Sequence, residues 1–404
     1  MSGAGNERDT QLKLLRESAT EFVRRNTDLK KYRELRQQLP GYDVTLVRQM
    51  AELGWFGMMV PEAQGGLGLG LAELAEVLQA LGKGLLAEPV VAATVLAGRV
   101  LARGPHCAMR DQLLAGLVDA SALPALAWQE GLGALDPAAI ETMARVTDHG
   151  VQLSGSKRLV VGAAGANGFL VSARAEPAIN PEAVRNSEQK IGLYWVPVNA
   201  RGLSISFEWR ADGTPVGVLE LAAVSIPAEH ILMQPGPAAL ANLQRSIDEA
   251  AVMASAEMLG VMEAALQMAL GYMRTRVQFG KPIGSFQALQ HKTTDLYVQQ
   301  ELSRAVLAEA LKVLGREHAG QEITEQDTER VLVVSRCKSR CSDAGLRVTR
   351  EVIQLHGAIG FTDEYDAGLY LKRALVLSAW LGNASAHRRR FAALSSEHAD
   401  GALG

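Results

Sequence analysis

Two arginines and a group of turn-forming residues stand together in residues 274–291, which read RTRVQFGKPIGSFQALQH. Arg274 and Arg276 end a long apolar pattern that predicts a helix, and the partial negative charge of a helix C-terminus favours cations. Three residues that break helices and shape turns follow, namely Gly280, Pro282 and Gly284. A second helical pattern begins directly after them. On these residues alone, the arginines can be explained as a helix cap.

A glycine-rich loop is the second candidate for chemistry. Residues 60–70 read VPEAQGGLGLG and hold four glycines within six residues. This density indicates backbone that needs positive φ or close approach, and such a loop can cradle a phosphate. No complete G-x-G-x-x-G follows a predicted strand, so a dinucleotide site of that kind is not expected. We interpret the loop as mainly structural, leading into a helix at residues 71–81.

The cysteines are the remaining candidates for metal binding. Cys107, Cys337 and Cys341 are too few for a disulfide framework. Cys337 and Cys341 lie four residues apart on a predicted helix and therefore share a face, but no histidine accompanies them at the spacing of metal ligands. We expect free thiols and no metal site.

Composition narrows the class of protein. Of the 404 residues, 48% are hydrophobic, 21% are charged and 5% are aromatic, which is typical of a helix-rich globular chain with two or three domains. The net charge of −3 gives no basic field for nucleic acid. No apolar run reaches the roughly 18 residues of a membrane span, and the polar first residues lack the apolar core of a signal peptide. We therefore expect a cytoplasmic protein.

The hydrophobic pattern changes twice along the chain and predicts three regions. Residues 11–121 place apolar residues three and four apart and predict helices. Residues 123–232 contain stretches such as VQLSGSKRLVVGA that alternate apolar and polar residues, which predicts a small β domain, interpreted as a barrel. Residues 176–190 are polar and are interpreted as a surface loop. Residues 240–394 return to long helical patterns, which favour an antiparallel bundle.

The arginine-containing stretch closely resembles a helix–loop–helix motif of the acyl-CoA dehydrogenase family, in the form R-x-x-F-G-K-P-I-G-x-F-Q-A-L-Q-H. In that family the matching arginine and phenylalanine hold the FAD of a neighbouring subunit. The resemblance implies those roles for Arg276 and Phe279, and a flavin contact for Gln287.

A second string, QLHGAIGFT at residues 354–362, resembles the family motif Q-x-x-G-G-x-G-F/Y-T, which meets the pyrophosphate and adenosine of FAD across a dimer interface. The resemblance implies cofactor contacts for Gln354, Gly357 and Ala358, with Ala358 in place of the usual glycine. We interpret His356 as a packing or capping residue.

The resemblance extends over nearly the whole chain, including GWFGMMVPEAQGGLGLG and GSKRLVVGAAGANGFLVSAR. It implies a fold with an N-terminal α-helical domain (1–122), a middle β-barrel (123–236) and a C-terminal four-helix bundle (237–404), assembled as a dimer of dimers. It also implies FAD as cofactor, an acyl-CoA substrate oxidised to the 2-enoyl-CoA, and electron-transfer flavoprotein or a similar acceptor. The string AWQEG at residues 127–131 departs from the T-E-P-x-A-G-S-D-like string of the family, which puts a side-chain contact to the flavin in doubt.

The catalytic base of the family is missing from both of its usual places. Members use a glutamate to remove the proton α to the thioester while FAD takes the β-hydride. Counted from the flanking motifs, the two glutamate positions fall on Leu381 and Ala250, and neither residue accepts a proton. Glu249 and Asp248 stand beside Ala250 and are the candidate catalytic residues, although neighbouring helical positions point about 100° apart. Both also fit first-turn acids favoured by a helix dipole.

Three hypotheses remain open from the sequence. The pattern resembles the smaller subunits of heteromeric acyl-CoA dehydrogenases, of the pimeloyl-CoA dehydrogenase small-subunit type, so the first is an FAD-dependent dehydrogenase subunit of fatty-acid or steroid side-chain oxidation. Such a subunit would use a base on a partner, or Glu249 or Asp248 itself. The second is a structural partner without a complete site of its own. The third is a flavin monooxygenase-like branch of the same fold.

Overall fold

The computed structural model describes residues 3–133, 135–176, 190–316 and 328–401. The loop expected at residues 176–190 lies almost entirely outside them. The chain divides into two compact units, each built from separate stretches of sequence. The helical unit comprises Met1–Glu34, Leu71–Ala87 and Ala251–Gly404, and the mixed unit comprises Leu35–Gly70 and Glu88–Ala250. The secondary structure changes near the expected boundaries, since the first strand begins at Pro124 and a 39-residue helix begins at Pro237.

The helices predicted on both sides of the β region are confirmed. In chain order they are α1 (Gly3–Asn26), α2 (Leu29–Leu35), α3 (Val44–Glu52), α4 (Leu71–Gly84), α5 (Gly98–Arg103), α6 (Ala108–Val118), α7 (Pro237–Thr275), α8 (Gln287–Leu314), α9 (Thr328–His356), α10 (Ala367–Ala379) and α11 (Ala384–Gly401). In the helical unit, α9 packs against α8, α10 and α11. Met253, Met258 and Met262 of α7 are at most 1% exposed and fill the core of this unit.

Two glycines fix the contact between α4 and α7 in the helical unit. A Cβ atom at Gly82 would lie 2.2 Å from the carbonyl oxygen of Glu257, and a Cβ atom at Gly260 would lie 2.0 Å from the carbonyl oxygen of Gln79. Any side chain at either position would push the backbones apart. The helices therefore approach each other more closely than side chains would permit.

The mixed unit is built around one eight-stranded sheet. Its strands are β1 (Pro124–Ala127), β2 (Met143–Thr147), β3 (Gly150–Val161), β4 (Gly168–Ala175), β5 (Ile191–Pro197), β6 (Leu203–Trp209), β7 (Pro215–Ile226) and β8 (Ile231–Met233). Among the described residues the pairing order is β6-β7-β3-β2-β4-β5-β8, with β1 parallel to β4. This pairing order begins at β6, ends at β8 and does not close on itself. The alternating pattern of this region was interpreted as a barrel. Most neighbouring strands are antiparallel, and their inward side chains form the core of this unit.

A buried ion pair sits inside this core. Lys157 on β3 is 0% exposed, and its Nζ lies 2.7 Å from a carboxylate oxygen of Glu130 and 3.3 Å from Ser172 Oγ. Burial lowers the pKa of Lys157 to about 8, although the charge of Glu130 opposes that change. The Glu130 carboxylate also accepts hydrogen bonds from the backbone N–H groups of Glu141 and Thr142. Each side chain compensates the buried charge of the other, and the pair thereby joins β3 to the segment that follows β1.

None of the helices that the structure describes combines the length and the apolar character needed to cross a membrane.

Candidate functional site

The stretch after α7 forms a hairpin that the sequence did not predict. Strands β9 (Val277–Gln278) and β10 (Lys281–Pro282) pair antiparallel and leave Phe279 and Gly280 as a two-residue turn. Both turn residues have positive φ, 54° and 80°, which is the backbone of a type I′ turn. The hairpin directly follows Arg276, whose carbonyl oxygen accepts a hydrogen bond from the N–H of Ile283 at 2.8 Å.

Phe279, at the tip of this hairpin, combines an exposed aromatic ring with a left-handed backbone conformation. Its side chain is 90% exposed, and its left-handed backbone conformation disfavours a bulky residue by about 1–2 kcal/mol. Its ring meets that of Phe286 edge-on, with centroids 6.1 Å apart. Backbone strain and an exposed aromatic ring at one position point to a binding role, because neither stabilises the isolated chain.

Arg276 is also available to a ligand. The residue is exposed at the end of α7, and its guanidinium has no ion-pair partner in the described part of the chain. Gln287 is exposed as the first residue of α8, where the helix dipole favours negative charge. Gly284 between them lies against α7, since a Cβ atom there would be 2.9 Å from the carbonyl oxygen of Met273.

The second predicted motif lies at the C-terminal end of α9. Gln354 is exposed in the last turn of that helix, and a 3₁₀-helix, Gly357–Phe361, follows. Gly357 has φ of 66°, and a Cβ atom there would meet nothing within 4 Å. Ala358 is exposed, so its extra methyl group lies on the surface. The chain itself leaves this surface open to a partner or ligand.

An aromatic stack brings the two motifs together. The ring of His356 lies 4.7 Å from those of Tyr272 and Tyr365, measured between centroids. Tyr272 is one turn before Arg276, whose N–H donates to the Tyr272 carbonyl oxygen at 2.8 Å. His356 itself lies between Gln354 and Gly357 in sequence. The structure therefore places both predicted cofactor motifs on one region of the helical unit.

His356 has a packing role in this stack, as expected. It is 3% exposed, and its Nδ1 lies 2.7 Å from the carbonyl oxygen of Val352, which identifies Nδ1 as the protonated nitrogen. Burial lowers the pKa of His356, while the hydrogen bond to Val352 opposes that change. The buried position therefore favours the neutral form of the ring.

The candidate base Glu249 forms ion pairs with two arginines in the mixed unit. Arg99 Nε donates to one carboxylate oxygen at 3.0 Å, and Arg103 Nη2 donates to the other. Burial by itself would raise the pKa of Glu249, which is 2% exposed, but the two guanidinium groups outweigh burial and lower that pKa to about 2. A carboxylate held in this way is a weak proton acceptor. The sequence did not reveal the cluster, because its partners lie about 150 residues away in the chain.

The neighbours of Glu249 in sequence are also buried. Asp248 is 1% exposed and accepts a hydrogen bond from Gln244 Nε2 at 3.3 Å. Ala250 is 0% exposed and has no group that can accept a proton. The predictions of Glu249 and Asp248 as catalytic bases remain untested, and the contacts of Glu249 disfavour its role.

The other base position falls in a turn that is firmly held. Leu381 is 3% exposed and has a positive φ of 58° between α10 and α11. The buried ammonium of Lys338 donates to the carbonyl oxygens of Leu377 at 2.8 Å and Gly382 at 3.1 Å, and His387 Nε2 lies 2.8 Å from the carbonyl oxygen of Leu381. Burial lowers the pKa of Lys338 to about 7. The turn is thus fixed in place but presents an apolar side chain.

The cysteines lie away from these motifs. Cys337 and Cys341 are buried on one face of α9, and Cys107 is partly exposed and free. Within the described ranges, no group of three or more His, Cys, Asp or Glu side chains could hold a metal ion.

Comparison with known proteins finds relatives for both helical parts of the sequence. The family model "Acyl-CoA dehydrogenase, N-terminal domain" matches residues 9–121, and "Acyl-CoA dehydrogenase, C-terminal domain" matches residues 240–394. Acyl-CoA dehydrogenase IpdE2 of Mycobacterium tuberculosis is 30% identical over 367 residues, which make up 89% of this chain and 90% of that protein.

Solved structures extend the likeness to the whole fold. A variant of the Tcur3481-Tcur3483 steroid ACAD is 31% identical with a TM-score of 0.82, covering 97% of this chain and 99% of that one. The ChsE4-ChsE5 complex from Mycobacterium tuberculosis is 25% identical with a TM-score of 0.83, covering 96% and 97% of the two chains.

Proposed function

Because the chain belongs to the acyl-CoA dehydrogenase family, whose members oxidise a CH–CH bond of an acyl-CoA, we propose that it binds FAD jointly with a neighbouring subunit and takes part in α,β-dehydrogenation. The product is the 2-enoyl-CoA, and the electrons pass to electron-transfer flavoprotein or a similar acceptor. The assembly is a dimer of dimers that contains a second, base-bearing type of subunit. The dehydrogenase names of the relatives give no support to the monooxygenase-like alternative.

The observation that carries the FAD proposal is the hairpin tip. Phe279 is held 90% exposed in a strained backbone conformation, directly after an exposed arginine without an ion-pair partner in the described ranges. A flavin cofactor offers a large aromatic surface for the ring and a pyrophosphate for the guanidinium. Arg276 can bind that pyrophosphate through charge-assisted hydrogen bonds.

The second motif fits the same group. Gly357 and Ala358 are exposed, and the absence of a side chain at the first and the single methyl group of the second leave room for a bulky anionic partner. Gln354 and Gln287 offer amide donors on the exposed surface. When bound, FAD supplies the hydride acceptor for the β-carbon, while these residues orient it.

The contacts of the candidate residues bear on which subunit supplies the catalytic base. The carboxylate of Glu249 is paired with two arginines, and Leu381 and Ala250 cannot accept a proton. General-base catalysis needs a carboxylate that can take a proton near the operating pH. We therefore assign the base to another subunit type, and the name of one similar structure, the ChsE4-ChsE5 complex, describes an assembly of two different proteins.

Substitution of Arg276 tests the FAD proposal. Arg276→Ala should weaken FAD binding about ten- to a hundredfold, because a hydrogen bond to a charged group contributes roughly 1.5–3 kcal/mol. The measurement is the flavin-to-protein absorbance ratio after gel filtration, with FAD titration of the stripped protein. Arg274→Ala is the matched control, since it removes an exposed arginine two residues away at the same helix end. Equal flavin content in the parent and in both variants would refute the proposal.

The origin of the base is tested by reconstitution. The isolated chain should not bleach its flavin on mixing with an acyl-CoA, and adding the base-bearing subunit should restore bleaching. Rapid bleaching by the isolated chain would refute the assignment of the base to a second subunit type while leaving the FAD proposal intact.

A further inference from the structure

His356 lies at the centre of the aromatic stack that joins the two cofactor motifs. Its ring is tilted by 37° against that of Tyr272 and by 50° against that of Tyr365, with 4.7 Å between the centroids of each pair. The centroids of the two tyrosine rings lie 6.4 Å apart, so the three rings form one cluster. Through this cluster His356 contacts both segments that carry a motif.

The stack anchors the loop that carries Gly357 and Ala358 at both of its ends. His356, the last residue of α9, directly precedes the loop, and Tyr365 follows its 3₁₀-helix. The third ring belongs to the last turn of α7, where the carbonyl oxygen of Tyr272 accepts the N–H of Arg276. The same contacts therefore set the position of the exposed loop backbone and that of the arginine.

The hydrogen bonds of His356 are not explained by packing alone. Its Nδ1 is bonded to the carbonyl oxygen of Val352 at 2.7 Å, whereas its Nε2 is buried without a hydrogen-bond partner in the described ranges. A buried polar atom without a partner costs free energy. A phenylalanine would fill a similar space without that cost, but it has no donor that could fix the orientation of its ring. The orientation of the ring is thus what the imidazole adds.

We propose that His356 is a positioning residue for the cofactor. Its ring, oriented by the bond to Val352, holds Arg276 and the backbone at Gly357 in one arrangement, so that the FAD of a neighbouring subunit meets both motifs at once. The proposal rests on the proposed function and adds the residue that joins its two cofactor motifs. Binding groups that are already arranged raise affinity, because less ordering is required when the ligand binds. His356 acts through these motifs, since it is itself only 3% exposed.

The test uses two variants of the stack and one control. His356→Phe keeps an aromatic ring and removes the donor, and Tyr365→Leu removes the ring at the other end of the loop, where the residue is only partly buried. Val334→Ala is the control, because Val334 is 0% exposed in α9 but lies about six turns before His356. The measurements are FAD titration of the stripped assembly and urea unfolding of the flavin-free protein.

Both stack variants should weaken FAD binding about tenfold, the effect of losing part of one charge-assisted hydrogen bond. His356→Phe should unfold at the same or a higher urea concentration than the parent, since the loss of the unpaired Nε2 offsets the loss of the bond to Val352. Val334→Ala should unfold earlier and bind FAD as the parent does. Unchanged FAD affinity in both stack variants would overturn the proposal, as would an equal loss of affinity in Val334→Ala. Tyr365→Leu decides the matter if His356→Phe does not fold.

A double-mutant cycle shows whether His356 acts through Arg276. Arg276→Ala should weaken FAD binding by a smaller factor in the His356→Phe background than in the parent, because a misplaced guanidinium contributes less. Equal factors in the two backgrounds would overturn the positioning role. If the parent binds no FAD, the proposed function fails first and this inference fails with it. If Arg276→Ala weakens FAD binding but neither stack variant does, the proposed function stands and this inference alone fails.

Discussion

Glu249→Gln distinguishes a structural carboxylate from a catalytic one. The substitution keeps the size and polarity of the side chain but removes the charge that faces Arg99 and Arg103. In the cluster described here, the carboxylate pairs with two arginines and its pKa is about 2. Against the ordinary value of 4.5, at about 1.4 kcal/mol per tenfold change in proton affinity, this difference corresponds to roughly 3 kcal/mol of stability.

The expected loss of unfolding free energy is about 3–5 kcal/mol at pH 7, because removal of one partner leaves buried charge uncompensated. The difference between parent and variant should depend on pH. Since the pKa of Glu249 is lowered in the folded protein, its contribution is present above about pH 4.5 and is lost as the pH falls through 2. Urea unfolding followed by circular dichroism at pH 7, 4.5 and 3 measures it, and the two curves should converge toward acid.

Flavin bleaching of the assembled complex supplies the second arm of the experiment. At a temperature where the variant remains folded, Glu249→Gln should change the rate of bleaching by acyl-CoA less than tenfold. Loss of a general base typically costs 10²–10⁴-fold in rate. A variant as stable as the parent but slower by two orders of magnitude would refute the structural assignment and make Glu249 the base.

The remaining predictions concern the helical unit. Gly260→Ala should destabilise the protein by about 1–3 kcal/mol in urea unfolding, because its methyl group would meet the carbonyl oxygen of Gln79 at 2.0 Å. Gly271→Ala on the same helix is the control and should be neutral or stabilising, because a Cβ atom there meets nothing within 4 Å. Equal losses of unfolding free energy in the two variants would contradict the close-contact explanation. Lys338 has a folded pKa of about 7 against an ordinary 10.5, so the unfolded state binds more protons between those values and stability should rise with pH across that window. Lys338→Met should remove that rise in pH-dependent urea unfolding, and an unchanged pH profile would contradict the assignment.

The sequence predicted the parts of the fold that depend on local patterns. The apolar periodicity of residues 240–394 predicted long helices, and α7, α8 and α9 have 39, 28 and 29 residues. The alternating stretches became strands. These features follow from side-chain spacing along one element, which the sequence displays directly.

Features that depend on distant partners were not predictable. The two arginines that bind Glu249 are about 150 residues away, and nothing in the local pattern marks them. The π-helix at Val91–Ala97 reads as ordinary apolar sequence. The turn-forming residues after Arg276 were recognised, but the hairpin with Phe279 at its tip was not, because a phenylalanine in the left-handed region contradicts the usual preference for Asn or Asp before glycine.

The discontinuity of the helical unit has a consequence for biosynthesis. Helix α4 ends at Gly84, and its Gly82 lies against the backbone of Glu257 in α7. More than 170 further residues must therefore be made after α4 before the two helices can meet. At about 5–20 residues per second, the ribosome needs roughly 10–35 s for that interval. During this time α4, whose Leu74, Leu78 and Leu81 are buried in the folded protein, has not met the part of α7 that comes to lie against it. A nascent chain arrested before residue 251 should therefore bind chaperones that recognise apolar helices, and release should follow the emergence of the second half of α7.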